Sequence, residues 1–402
     1  MITRKNEGTI VSPKGFKAAG LHSGVKRKRN DLGIIYSEVP AQAAAVYTLN
    51  KIKAEPLKLT KQSLNKDNMI QAIIVNSGNA NACTGKQGML DAIEMQKVTA
   101  AKYNVKQDHV AVASTGVIGL QMSMDKIIPH INKLEIASTS ESAQDFGEAI
   151  LTTDTFIKSV SFETEIDGEK IIMSGSAKGS GMIEPNMGTM FGFITTDAKI
   201  ESEILNEALK EVVNQTFNCI TVDGDTSTND MVLVMANGQA NNNSLTKNHP
   251  EWSKFINLLK QTSEELAKMI AQDGEGASKL IEVNVEGATN QTDAVKVAKS
   301  IVGSSLVKTA IFGTDPNWGR LIVAIGYSGV DIDPDVIDLS LGDINLLKNS
   351  EPVNYSEELA TKYLENDNIY ININLNQGNY SGKAWGCDLT YDYVRINASY
   401  RS

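Results

Sequence analysis

A threonine closes the glycine-rich stretch Lys178-Gly-Ser-Gly-Met-Ile-Glu-Pro-Asn-Met-Gly-Thr-Met190. Glycines at 179, 181 and 188 and a proline at 185 mark irregular backbone. The apolar run Met190–Ile194 that follows reads as a buried strand. Thr189 therefore stands where a strained loop enters a core strand, a place where a side chain can be both rigidly held and open to a pocket, although taken alone the stretch reads as a turn with a threonine in it. A threonine hydroxyl is a weak nucleophile until a base takes its proton. No histidine is near in sequence. One base that can serve is a lysine, and Lys178 stands eleven residues upstream. The other is an α-amino group, whose ordinary pKa of roughly 7.7–8.0 suits neutral pH. Thr189 has one only if the Gly188–Thr189 bond is cut.

Other stretches offer supporting chemistry. Val110–Ala113 reads as a strand emptying into Ser114-Thr-Gly-Val-Ile-Gly119. Backbone N–H groups at Thr115 and Gly116 could receive a developing oxyanion, although taken alone the pair reads as an ordinary strand-end turn. Glu275 is pinned between Gly274 and Gly276, just after a long helix. The oxygen-rich loop Thr221–Asp230 has its glycine in the wrong place for an EF-hand and lacks the closing glutamate, so it reads as a hydrogen-bonded loop near a site.

The elements that must position these residues follow from periodicity. Gln71–Val75, Lys158–Glu163, Lys170–Ser174, Met231–Ala236 and the alternating Ile369–Leu375 read as strands. Helical spacing runs through Gly88–Tyr103, Ala143–Leu151, Glu201–Phe217, His249–Asp273, Thr292–Val302 and Ser356–Leu364. Leu306–Phe312 is an apolar run, and the tail from Thr390 reads as strand-like and tied down. Interleaved strands and helices give a mixed α/β (α+β) layered protein. No GxGxxG follows the first strand and no GxxxxGK[ST] occurs, which argues against a dinucleotide or P-loop fold.

Bulk composition narrows the function. The chain has 402 residues, 41% hydrophobic, with a net charge of −10, enough for two domains and unsuited to nucleic acid or an anionic membrane surface. The basic run Lys26–Arg29 is short and reads as a solvated loop. Three dispersed cysteines and four scattered histidines argue against disulfides and metal sites and fit a cytoplasmic location. No apolar stretch has the length of a signal peptide or membrane span.

In its motifs the chain resembles the ornithine acetyltransferase (glutamate N-acetyltransferase) family of arginine biosynthesis. The resemblance runs along essentially the whole length. It is carried by Gly15–Gly20, Val75–Asn81, Ser114–Gly119, Thr152–Thr155, Lys178–Ile183, Pro185–Met190, Thr195–Ala198, Asp223–Asn229, Gly274–Gly276, Gly313–Arg320 and Val394–Ser402. It implies a layered α-β-β-α sandwich of the self-processing aminopeptidase type over 1–280, with a smaller C-terminal α/β domain over 281–402. It implies self-cleavage between Gly188 and Thr189 into an α chain, 1–188, and a β chain, 189–402, paired as α2β2. Thr189 would carry an acetyl group from N-acetylornithine to glutamate, with Thr115 and Gly116 as the oxyanion hole. Thr152, Lys178, Thr189, Glu275, Asn397 and Ser402 would bind substrate. No cofactor is implied; acetyl-CoA serves some members as co-substrate. One departure stands out: Gly188 occupies a position that is usually alanine in the family. The competing readings are a self-processing amidase or aminopeptidase on the same scaffold and a binding protein without activity.

Overall fold

The computed structural model describes residues 1–184 and 190–399, so Gly188, Thr189 and Ser402 lie outside the described residues. The chain divides into two compact units. The described residues of Met1–Gly179, Asn186–Asn214 and Thr226–Leu266 form the first; those of Ser180–Pro185, Gln215–Asp225 and Ala267–Ser402 form the second.

The first unit carries the strands β1 (Thr3–Arg4), β2 (Phe16–Leu21), β3 (Leu32–Tyr47), β4 (Met69–Asn79), β5 (Val110–Val117), β6 (Lys158–Ile166), β7 (Glu169–Lys178), β8 (Phe191–Thr196) and β9 (Met231–Ala236). Its helices are α1 (Glu55–Asp67), α2 (Gly85–Tyr103), α3 (Met124–Ile131), α4 (Ser140–Ala149), nearly all of α5 (Ser202–Gln215) and most of α6 (Trp252–Gln272). The strands join in the order β1-β6-β7-β8-β9-β3-β4-β5, with β2 also on β3.

β3 makes this one sheet into two layers. Its first half pairs with β2 and β4, and its last residues, Gln42–Tyr47, pair with β9; the register shifts between Tyr36 and Ala41. Ile35, Ile73, Val75 and Ala111 from one half meet Phe191, Phe193, Leu233 and Met235 from the other in a single core. Successive strand side chains point to opposite faces. The alternate residues Ile34, Ile74 and Val112 accordingly pack on Ala92 and Met95 of α2 and Ile127 and Ile131 of α3. On the far side Gly175 of β7 lies against α6, where an added Cβ would come 2.5 Å from Leu266 Cδ1. The result is the expected helix–sheet–sheet–helix stack. Each fully buried Ile or Phe in it contributes roughly 1.5–3 kcal/mol relative to exposure.

The second unit carries β10 (Leu280–Ala288), β11 (Asp338–Leu341), β12 (Ile344–Lys348), β13 (Glu351–Pro352), β14 (Asn368–Asn374) and β15 (Tyr380–Cys387), in the order β13-β12-β11-β14-β10-β15. Its helices are α7 (Gln291–Gly303), α8 (Ser305–Phe312), α9 (Trp318–Gly326), α10 (Glu357–Tyr363) and α11 (Tyr391–Ala398). Ile281, Val283 and Val285 pack with Ile369, Ile371 and Ile373 over Val297, Ala298 and Ile301 of α7.

One local expectation changes here and one open segment is settled. The apolar run Leu306–Phe312, left unassigned from sequence, is helix α8, started by Ser304, whose side chain accepts from Val307 N–H. The tail is helix α11 rather than a strand, and Thr390 caps it by accepting from Asp392 N–H. In both cases a hydroxyl just ahead of the segment satisfies an orphan helix donor, which outweighs β-branched and aromatic content. Among the described residues no helix is long and apolar enough to cross a membrane.

Candidate functional site

β7 and β8 are antiparallel neighbours, with Lys178 opposite Phe191. The two ends of the glycine-rich turn are therefore held side by side. Lys178 is buried, 6% exposed, and shares the inward face of the sheet with Phe193 and Phe191. Gly188 and Thr189 lie outside the described residues; Met190, the next residue, is buried.

Two carboxyl groups flank Lys178 and are driven in opposite directions. Asp154 is fully buried. It accepts from Lys158 Nζ at 2.7 Å, Thr152 N–H at 3.0 Å and Gly179 N–H at 2.6 Å, and lies 3.8 Å from Lys178 Nζ. Burial alone would raise its pKa, but Lys178, Lys158 and these hydrogen bonds hold it well below the usual carboxylate range. Asp230 precedes β9 and is also buried. Burial pushes its pKa well above the ordinary value, against the pull of Lys178 and the Met190 N–H that it accepts. Its Oδ2 has no hydrogen-bond partner among the described residues. One carboxyl with its pKa drawn down and one with its pKa pushed up, around the Lys178 ammonium opposite the start of β8, form an environment able to sort protons.

The oxyanion candidates sit in β5. This strand runs on to Val117, so Thr115 and Gly116 lie in the strand rather than in a turn after it. They face Ser77, Gly78 and Asn79 of β4, where the parallel register breaks in a bulge. A bulge disrupts the ladder and frees backbone groups. Gly116 has φ +132°, and a Cβ there would lie 2.3 Å from the Gly78 carbonyl carbon, so only glycine fits. Thr152, half-buried, follows α4 and is tied by its N–H to Asp154. The basic run does more than sit in solvent: Lys26 Nζ donates to Leu151 O at 2.9 Å and Arg29 Nη1 to Asp154 O at 3.1 Å. Burial draws the Lys26 pKa down to about 8.

In the second unit Glu275 is 8% exposed, and Asn397 Nδ2 donates to its Oε2 at 2.7 Å. Glu275 N–H donates to Ser180 O at 3.0 Å. A Cβ on Gly181 would fall 2.3 Å from the Glu275 carboxyl carbon, so the glycine makes room for the acid. Asp223 accepts from Met182 N–H and Ile183 N–H at 2.6 and 2.8 Å. Glu275 and Asn397 thus form one carboxylate–amide pair, and Ser402 lies outside the described residues.

Sequence reading did not single out Asp154, Asp230 or Asp223. Asp154 stands in the quoted Thr152–Thr155 motif, and the other two bound the polar loop before β9, which were the available signals. Among the described residues no group of three or more His, Cys, Asp or Glu is placed to hold a metal ion.

The ArgJ family model matches residues 17–402. The arginine biosynthesis bifunctional protein ArgJ of Listeria monocytogenes is 58% identical over 396 residues, 98% of this chain and 99% of that protein. The protein of the same name from Halalkalibacterium halodurans is 56% identical over 402 residues, 100% of this chain and 98% of that protein. A crystal structure of the ArgJ bifunctional protein from Bacillus halodurans is 51% identical, with a TM-score of 0.46, and covers 46% of this chain and 97% of its own. With the family model and the two full-length relatives in agreement, this chain belongs to the ArgJ family.

Proposed function

We propose that this enzyme moves an acetyl group from N-acetylornithine to glutamate in arginine biosynthesis, through an acetyl ester on Thr189. The chain cuts itself between Gly188 and Thr189, and the freed α-amino group becomes the base. Thr189 Oγ attacks the acetyl carbonyl while its proton passes to that amine. The carbonyl oxygen becomes an oxyanion facing the N–H groups of Thr115 and Gly116. Collapse breaks the C–N bond; the proton goes to the departing nitrogen, and ornithine leaves. The amine of glutamate then attacks the ester, N-acetylglutamate departs, and Thr189 recovers its proton. Glu275 with Asn397 meets the α-amino acid part of the substrate and Lys178 a carboxylate, and Thr152 and Ser402 also bind substrate.

The observation that carries this reading is the Lys178–Phe191 strand pairing, which closes the glycine-rich turn beside two carboxyl groups of opposite protonation preference. The relatives' description as bifunctional supports a second way of loading the same ester, from acetyl-CoA. The cut chains remain together and pair as α2β2 in the cytoplasm. The test is intact-mass analysis after incubation with N-acetylornithine without glutamate. Two fragments meeting at 188/189, with one acetyl group on residue 189, are expected. An uncut chain that still transfers acetyl would overturn the mechanism. Cut fragments that, once glutamate is added, release acetate in place of N-acetylglutamate would make the protein an amidase.

A further inference from the structure

Asn229 lies in the loop before β9 and is buried. Its side-chain Nδ2 donates to Ala80 O and to Ser114 O, both at 2.6 Å, and its Oδ1 accepts from Thr228 Oγ1. Two carbonyl acceptors on one side of the amide leave a single way for it to point. Ala80 directly follows β4, and Ser114 belongs to β5. One amide therefore ties the two strands together beside the bulge that opens between them.

The Ser114 carbonyl and the Thr115 N–H belong to the same planar peptide unit. They point in opposite directions, so a donor fixed on the carbonyl fixes the direction of the N–H. It also polarises the peptide, which strengthens that N–H as a donor. The Ser114 side chain is held separately, by Asn76 Oδ1 at 2.6 Å. The two Asn229 Nδ2 bonds given above thus go to backbone carbonyls.

We propose that Asn229 is a positioning residue for the oxyanion hole: it sets the plane of the Ser114–Thr115 peptide and sharpens the Thr115 N–H toward the tetrahedral oxygen. This rests on the oxyanion reading of Thr115 and Gly116 given above.

The experiment uses the full-length processed protein, with rates normalised to the fraction cut at 188/189 by intact mass. Asn229→Ala and Thr228→Val, which loosens the amide without removing it, are compared with wild type. Ligands are N-acetylornithine, ornithine and a methylphosphonamidate analogue of N-acetylornithine that mimics the tetrahedral anion. Losing an oxyanion donor outright costs about 10²–10³-fold in kcat, so misaiming one should cost roughly 10–100-fold. That loss is expected in kcat and in analogue affinity for Asn229→Ala, and a smaller one for Thr228→Val, with ornithine affinity unchanged. If wild type binds the analogue more tightly than N-acetylornithine and both variants bind it equally well, the role of Asn229 is refuted. If wild type shows no preference for the analogue, the oxyanion reading itself fails. Should Asn229→Ala not fold, Thr228→Val decides: lost analogue affinity supports the proposal and unchanged affinity overturns it.

Discussion

Asp154 Oδ2 lies 3.8 Å from Lys178 Nζ while its partner oxygen accepts from Lys158 at 2.7 Å, so one buried carboxylate holds two buried ammonium groups. Removing one partner of such a cluster leaves uncompensated charge, at a cost of about 3–5 kcal/mol. Asp154→Asn should lose stability on that scale in urea unfolding near neutral pH. The folded pKa of Asp154 is depressed, so its contribution is present above the unfolded value of roughly 3.9 and fades as pH falls toward the folded one. Wild type and variant should therefore converge only in strong acid.

Asp230 gives the opposite sign. Its folded pKa is raised, so below roughly pH 3.9 it is protonated in both states and has no effect. As pH rises beyond that, only the unfolded state readily releases the proton, and folding is disfavoured. Asp230→Asn should gain stability over wild type between pH 4 and 7, read as a widening difference in melting temperature. A constant or shrinking difference would contradict the raised pKa.

Gly116→Ala should be both unstable and inactive. The new methyl group would press on the Gly78 backbone at a φ that L-residues rarely adopt. A loss of roughly 1–3 kcal/mol from backbone strain alone is expected in thermal unfolding.

Asn397→Ala should act on substrate binding. The amide holds Glu275 at 2.7 Å, and without it the carboxylate loses its orienting partner. KM for the amino-acid substrates should rise about tenfold, the value of one charged hydrogen bond of roughly 1.5 kcal/mol, with less change in kcat. Steady-state kinetics with each substrate varied in turn measures this.

Thr189→Ala should remain a single chain on a denaturing gel and transfer no acetyl group. Two fragments from that variant would mean the cut uses a different nucleophile.

α2, α4, α5 and α6 were legible because their apolar periods hold over about ten residues or more, whereas α1 and α3 were not read from the sequence at all. α8 and α11 were not, because each spans only eight residues and the cap, not the period, decides them. Glu275 could be noticed for its two flanking glycines, yet the glycine that makes room for its carboxyl is Gly181, far away in sequence. Asp154 and Asp230 look like ordinary loop acids until folding buries them. The opposite directions of their pKa shifts are a property of tertiary packing, and no local pattern records them.

The strand order β7-β8-β9-β3 carries one more consequence. A cut at 188/189 leaves β8 and β9 in one fragment, with strands of the other fragment on both sides. The fragments would be interleaved rather than adjoined, and neither could leave without opening two ladders. Dilution alone should not part them. After complete denaturation, however, reassembly becomes a meeting of two molecules and should depend on concentration, whereas the uncut precursor refolds as one. Synthesis as a single chain would then be a way of assembling a structure that its own products could rebuild only slowly.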